Sequence, residues 1–221
     1  YPHPFSHLPL KHLTFCIIVS IQYFGNHNCG GSIISSSWIL SAGHCFGSNA
    51  SVLLAFLTIR AGSTYHGVGG TVHNTSRLIV HEDFTTSFYD SDIALIQVRS
   101  TQQGEEITPG TSAVVVGWGN TKAGGNLADK LQQVSLLILP EDACAHIYKG
   151  QFTKNMICAH DMTGGKDSCN GDSGGPLVVG GKQLGVVSAG ATGTCGEATL
   201  PGIYTRVAQF THWIHRNTQL M

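Results

Sequence analysis

Gly171-Asp172-Ser173-Gly174-Gly175-Pro176 sets the expectations for this 221-residue chain. A serine alone is usually a turn or surface hydroxyl. Three glycines around this one remove side chains from its surroundings and let a substrate carbonyl approach the backbone. The N–H groups of Gly171 and Ser173 can then converge on a developing oxyanion. Ser173 therefore reads as a nucleophile. Its hydroxyl is weak at neutral pH and needs a base.

Histidine is the usual base, because its unperturbed pKa is about 6.5. Among the 12 histidines, His44 stands out in Ser41-Ala42-Gly43-His44-Cys45, where a crosslinked neighbour would fix its loop. A third group should hold the imidazole tautomer. Asp92 opens the apolar run of Asp90-Ser91-Asp92-Ile93-Ala94-Leu95-Ile96, where a carboxylate is costly unless hydrogen-bonded or paired. Asp83 and Asp90 compete locally, and both read as exposed turn residues.

Around these motifs the chain offers short strand signals among Gly, Ser, Asn and Asp turns. They include 32–34, 38–40, 57–60, 77–80 and 93–96, then 113–116, 133–139, 177–179, 184–188 and 203–207. This texture suggests an antiparallel barrel or sandwich. Nothing alternates strand with long helix, which disfavours a doubly wound sheet. One short helix can open at Pro140-Glu141-Asp142-Ala143. A second is expected over 207–219, with Val207, Phe210, Trp213 and Ile214 on one face. Gln, Gly, Glu and Pro accumulate over 101–109, which places a domain boundary at 105/106.

SAGHC, SDIALI and GDSGGP, in that order, resemble the chymotrypsin–trypsin family of serine proteases. Cys29-Gly30-Gly31-Ser32-Ile33-Ile34, Gly117-Trp118-Gly119 and Pro201-Gly202-Ile203-Tyr204-Thr205-Arg206-Val207 add to the likeness, which spans about 17–217. It implies an all-β fold of two six-stranded antiparallel β-barrels with a short C-terminal helix. His44 and Asp92 would come from the first barrel (1–105) and Ser173 from the second (106–221). It also implies the disulfides Cys29–Cys45, Cys144–Cys158 and Cys169–Cys195, which leaves Cys16 odd. Asp167, six residues before Ser173, would be the floor of the pocket for the residue preceding the cut bond. Cleavage after Arg or Lys follows from that carboxylate. Ser168 would add a hydroxyl beside it, Gly190 and Gly202 would be its small walls, and Ser188 would support Asp92.

The sequence departs from the family in four places. No Ile-Val-Gly-Gly start, the activation terminus whose ammonium would pair with Asp172, is found. Ile17-Ile18-Val19-Ser20 lies too close to Cys29 to reach the second barrel, and residues 1–15 do not resemble the family. Asp172 should then turn outward or protonate. The connection from Asp92 to Trp118 is about ten residues short, which predicts an open barrel edge. Ala189 stands where trypsins commonly have Trp. The stretch 61–76 has no Asp or Glu, so neither calcium nor any other metal is expected. The missing start gives an alternative to an active secreted enzyme, namely a zymogen-like or non-catalytic homologue acting by binding.

Composition narrows the rest. A net charge of -1 argues against nucleic acid and anionic membranes as partners. Seven widely spaced cysteines suit disulfides in an oxidising compartment better than a metal knuckle. The sequons at Asn49 and Asn74 fit a secreted surface. The apolar run 13–21 is too short to span a bilayer, is unconvincing as a signal peptide, and reads as a buried strand. The expected partners are protein or peptide substrates and protein protease inhibitors, with a monomeric chain and no cofactor. G-x-S-x-G also permits an α/β-hydrolase with Ser173, Glu197 and His212. The absent βαβ periodicity disfavours it.

Overall fold

The computed structural model describes residues 17–47, 54–98, 112–190 and 195–220. Twelve strands form two closed antiparallel barrels. The first runs β1 (Ile18–Tyr23), β2 (Asn26–Ile33), β3 (Trp38–Ser41), β4 (Leu57–Ala61), β5 (Thr71–Val80) and β6 (Ala94–Val98), ordered β1-β2-β3-β6-β5-β4 around the ring. The second contains β7 (Ser112–Gly117), β8 (Gln132–Ile138), β9 (Met156–His160), β10 (Pro176–Val179), β11 (Lys182–Ala189) and β12 (Gly202–Arg206), ordered β10-β11-β12-β9-β8-β7. Followed around its ring from β7, the second barrel repeats the connectivity of the first.

Closure corrects the expected open edge. β7 pairs with β8 over its whole length and with β10 through Val114 and Val115. No barrel edge is left for another chain to extend. The proposed boundary at 105/106, Cys16 and Asn49 lie outside the described residues, whereas Asn74 is exposed on β5.

Alternation fills each barrel with aliphatic side chains. Val19, Ile21, Ile39, Ile59 and Leu95 are buried in the first. Ala113, Val115, Leu177, Val187 and Tyr204 are buried in the second. Ile18 packs with Val116 and Trp118 in a small cluster joining the two. It is the first residue of β1, so the Ile17–Ser20 stretch is engaged in the first barrel.

Helix α1 (Glu141–Tyr148) begins with two carboxylates in its first turn, where the helix dipole favours them. The chain then ends in a 3₁₀ turn, Val207–Phe210, and helix α2 (Thr211–Thr218). Phe210, Trp213 and Ile214 of this segment are buried in the core of the first barrel. Glu82 accepts from Trp213 Nε1 at 2.7 Å and from Arg216 at 2.6 Å, fixing the helix across the barrel boundary. No described helix is long and apolar enough to cross a membrane.

Candidate active site

Asp92 is fully buried at the entrance to β6. Burial of a carboxylate is tolerated because three donors meet it. His44 supplies two of them, its backbone N–H to Oδ1 and its Nδ1–H to Oδ2, each at 2.8 Å. Ser188 Oγ donates the third, at 2.5 Å to Oδ2. Ser188 sits where the β11–β12 register slips between Val187 and Ala189. Such a bulge re-aims a side chain, and this one directs a hydroxyl of the second barrel at a carboxylate of the first. Thr205 Oγ1 also crosses, donating to the Asp92 carbonyl at 2.7 Å. In the neutral imidazole this bond puts the proton on Nδ1 and the lone pair on Nε2.

The Ser173 loop is held by both barrels. Gly30 N–H donates to the Ser173 carbonyl at 2.8 Å, and Gly174 N–H to Val187 at 2.8 Å. A Cβ on Gly174 would fall 2.1 Å from Ser41 Oγ and 3.1 Å from the Ala42 nitrogen. Glycine is therefore required for the loop to approach the segment that leads into His44. Gly171 has φ +95, and a Cβ there would lie 2.4 Å from Leu127. Its carbonyl accepts from His27 Nε2 at 2.9 Å.

Of the two expected outcomes, turning outward or favouring the protonated form, Asp172 does not take the first. Its carboxylate points inward and accepts from the N–H groups of Gly119 and Cys169, each at 2.8 Å. Burial pushes its pKa up to about 6, with those two N–H groups pulling the other way. Among the described residues no cationic side chain pairs with it. It lines a cavity of about 380 Å³ together with Gly117, Asn120, Lys122 and Asp167.

Asp167 is half-buried, not an exposed loop charge, and burial raises its pKa. Its Oδ1 accepts from the Ser168 N–H at 2.8 Å, and Ser168 Oγ lies 3.4 Å from Tyr204 Oη. A Cβ on Gly202 would stand 2.7 Å from Asp167 Oδ1, whereas one on Gly190 meets open space. Ala189 packs against the Cys144, Met156, Cys158 and Ile203 cluster. The disulfides are Cys29–Cys45, Cys144–Cys158 and Cys169–Cys195. The sulfurs beside His44 are thus bonded to each other and do not form a ligand set with it.

The structure also corrects the sequence reading. Asp90 is half-buried and bonded to the second barrel, not an exposed turn residue. The hydrolase alternative fails because the fold is all-β and both Glu197 and His212 are exposed. Tyr89, whose ring meets that of His44 edge-on at 5.4 Å, and His27, Ser20 and Thr205 went unnoticed. Tyr89, His27 and Thr205 act through partners far away in the chain, and Ser20 acts through His27.

A family model described as Trypsin matches residues 9–214, which corrects the expectation that all of 1–15 lies outside the family. Trypsin of Sus scrofa is 38% identical over 218 residues, covering 91% of this chain and 92% of that protein. Trypsin of Xenopus laevis is 38% identical over 204 residues, with 86% and 80% covered. Anionic trypsin of Canis lupus familiaris is 39% identical over 202 residues, with 86% and 79% covered. With two closed six-stranded barrels, a buried Asp92 paired with a half-buried His44 at their seam and this likeness over most of its length, the chain belongs to the trypsin family and is a serine endopeptidase.

Proposed function

We propose that this endopeptidase is secreted and cleaves after Arg or Lys, with His44, Asp92 and Ser173 as its catalytic triad. The observation that carries the reading is the fully buried Asp92 aimed at His44 Nδ1. It leaves Nε2 as the base that takes the Ser173 proton during attack on the substrate carbonyl. Asp92 stabilises the imidazolium that results, and Gly171 and Ser173 N–H groups hold the oxyanion. His44 then protonates the leaving amine, and water repeats the cycle on the acyl-enzyme.

Asp167 is the proposed counter-charge for substrate Arg or Lys. Asp167 is half-buried, feels His160 electrostatically, and makes no ion pair with Lys or Arg among the described residues, which leaves its carboxylate open to an incoming guanidinium. Ser168 stands beside it, with Gly190 and Gly202 as walls. Protein inhibitors that present Arg or Lys would bind the same cleft of the monomer.

A second reading is favoured by one observation. Asp172 has no cationic partner among the described residues, which is what a zymogen-like or binding-only form would show. Hydrolysis of a short Arg chromogenic peptide by the purified chain, with Ser173→Ala as control, separates the two. Loss of turnover on the order of 10⁶ in the control supports the enzyme. No turnover by the folded, disulfide-bonded chain supports the second reading. Asp167→Ser should abolish the basic preference, and a retained preference would sink the pocket assignment.

A further inference from the structure

Two non-glycine residues on either side of Asp90 adopt the left-handed region, Tyr89 and Ser91, each with φ +53. Such a backbone persists only where its surroundings over-determine it. The Thr85 N–H of the first barrel donates to the Asp90 carbonyl at 3.2 Å, and the side-chain bonds come from the second barrel. Thr153 Oγ1 donates to Asp90 Oδ1 at 2.6 Å. Asn155 Nδ2 reaches both Asp90 oxygens at 3.2 and 3.3 Å and Ser91 Oγ at 3.4 Å. Asn155 is itself anchored, because its carbonyl accepts from Arg206 N–H at 2.8 Å at the end of β12.

What this clamp holds is the approach to the triad. Asp92 lies two residues after Asp90, and the Tyr89 ring rests edge-on against His44. Thr205 and Ser188 fix Asp92 at its carbonyl and its carboxylate. Neither of them fixes the direction from which the chain arrives.

We propose that Asp90 is a positioning residue, which with Thr153 and Asn155 holds the strained turn that aligns Asp92 and Tyr89 on His44. The proposal rests on the triad reading given above. Asp90 touches no reacting atom, so its effect should fall on turnover and not on substrate affinity.

The test compares the full chain with Asp90→Ala, Asp90→Asn and Thr153→Val. The readouts are kcat and KM for a short Arg peptide and the low-field proton resonance of the His44 Nδ1–H···Asp92 bond. Asp90→Ala should lower kcat on the order of ten- to a hundredfold, with KM within about threefold, since small misplacements of a catalytic group cost this much. The low-field resonance should broaden or vanish. Asp90→Asn, which still accepts from Thr153, should recover most of kcat. Thr153→Val should resemble Asp90→Ala without adding to it, as expected of groups in one contact. It also carries the test if Asp90→Ala fails to fold. Unchanged kcat and a sharp resonance in a folded Asp90→Ala or Thr153→Val protein overturn the proposal. The resonance is read whether or not the unaltered chain turns over. Absent turnover with a resonance that still depends on Asp90 therefore defeats the enzyme reading and leaves the positioning role standing.

Discussion

His27 and Gly171, 144 residues apart, are joined by a hydrogen bond of 2.9 Å from the imidazole Nε2 to the carbonyl oxygen. A carbonyl can only accept, so Nε2 carries the proton and Nδ1 accepts from Ser20 Oγ at 2.8 Å. A side chain of the first barrel thus orients a peptide plane next to the proposed oxyanion donors. His27→Leu should lower kcat/KM for a short Arg peptide by about tenfold to a hundredfold, near the value of one oxyanion donor. Steady-state kinetics on the folded variant would settle it, and unchanged kcat/KM would refute it.

Asp172 and His27 pull the stability profile in opposite directions. The Asp172 carboxyl, raised from 3.8 to about 6, keeps its proton in the folded state when the unfolded chain has lost its own. Its contribution is fully present below pH 4 and is lost as pH rises through 6. His27, lowered from 6.5 to about 4, contributes above pH 6.5 and loses that contribution as pH falls through 4. Removing Asp172 should expose the slope of His27. Relative to the unaltered chain, Asp172→Asn should gain about 2 kcal/mol between pH 4.5 and pH 7.5 in urea unfolding. A pH-independent difference would show that Asp172 titrates normally.

Gly202 leaves no room for a methyl group beside Asp167. A Cβ would sit 2.7 Å from Oδ1 and 3.2 Å from Tyr204 Oη. Gly202→Ala must displace the carboxylate or the strand. It should reduce kcat/KM for an Arg peptide at least about tenfold, while acylation by a small ester that leaves the pocket empty is spared. Equal losses on both substrates would place the damage in the catalytic loop instead.

Ser188→Ala removes one of three donors from a carboxylate with no solvent access. Leaving such a group short of a donor costs about 1–3 kcal/mol. The folding midpoint should drop accordingly, and kcat should fall with it because His44 depends on the same oxygen. Calorimetry beside kinetics tests the pair, and a fall in kcat without any loss of stability would separate the two roles.

Much of this could be read along the chain, and what could not has a common cause. GDSGGP, SAGHC and SDIALI concentrate chemistry within a few residues, so the proposed triad of Ser173, His44 and Asp92 stands out in the sequence. Strands built on runs of β-branched residues, such as β7 and β10, were found to within a residue or two. β9 was missed because Met156-Ile157-Cys158-Ala159-His160 has Ile157 as its one β-branched residue and so carries a weak strand signal. β5 was found only in its last four residues, since its first part is exposed and polar. Asp90 looked like a turn charge because its partners, Thr153 and Asn155, lie more than 60 residues away.

The placement of the three disulfides has a consequence for biogenesis. Cys29–Cys45 closes within the first barrel, and Cys144–Cys158 and Cys169–Cys195 within the second, with separations of 16, 14 and 26 residues. Each crosslink can form as soon as its own short stretch has been made, without waiting for the other half. Oxidation and assembly are thereby uncoupled, and the His44 loop can be locked before Ser173 has been synthesised. None of these bridges joins the two halves. Their union rests on contacts such as Ser188 with Asp92 and Asp90 with Thr153, so the catalytic centre comes into being only when two already crosslinked bodies meet.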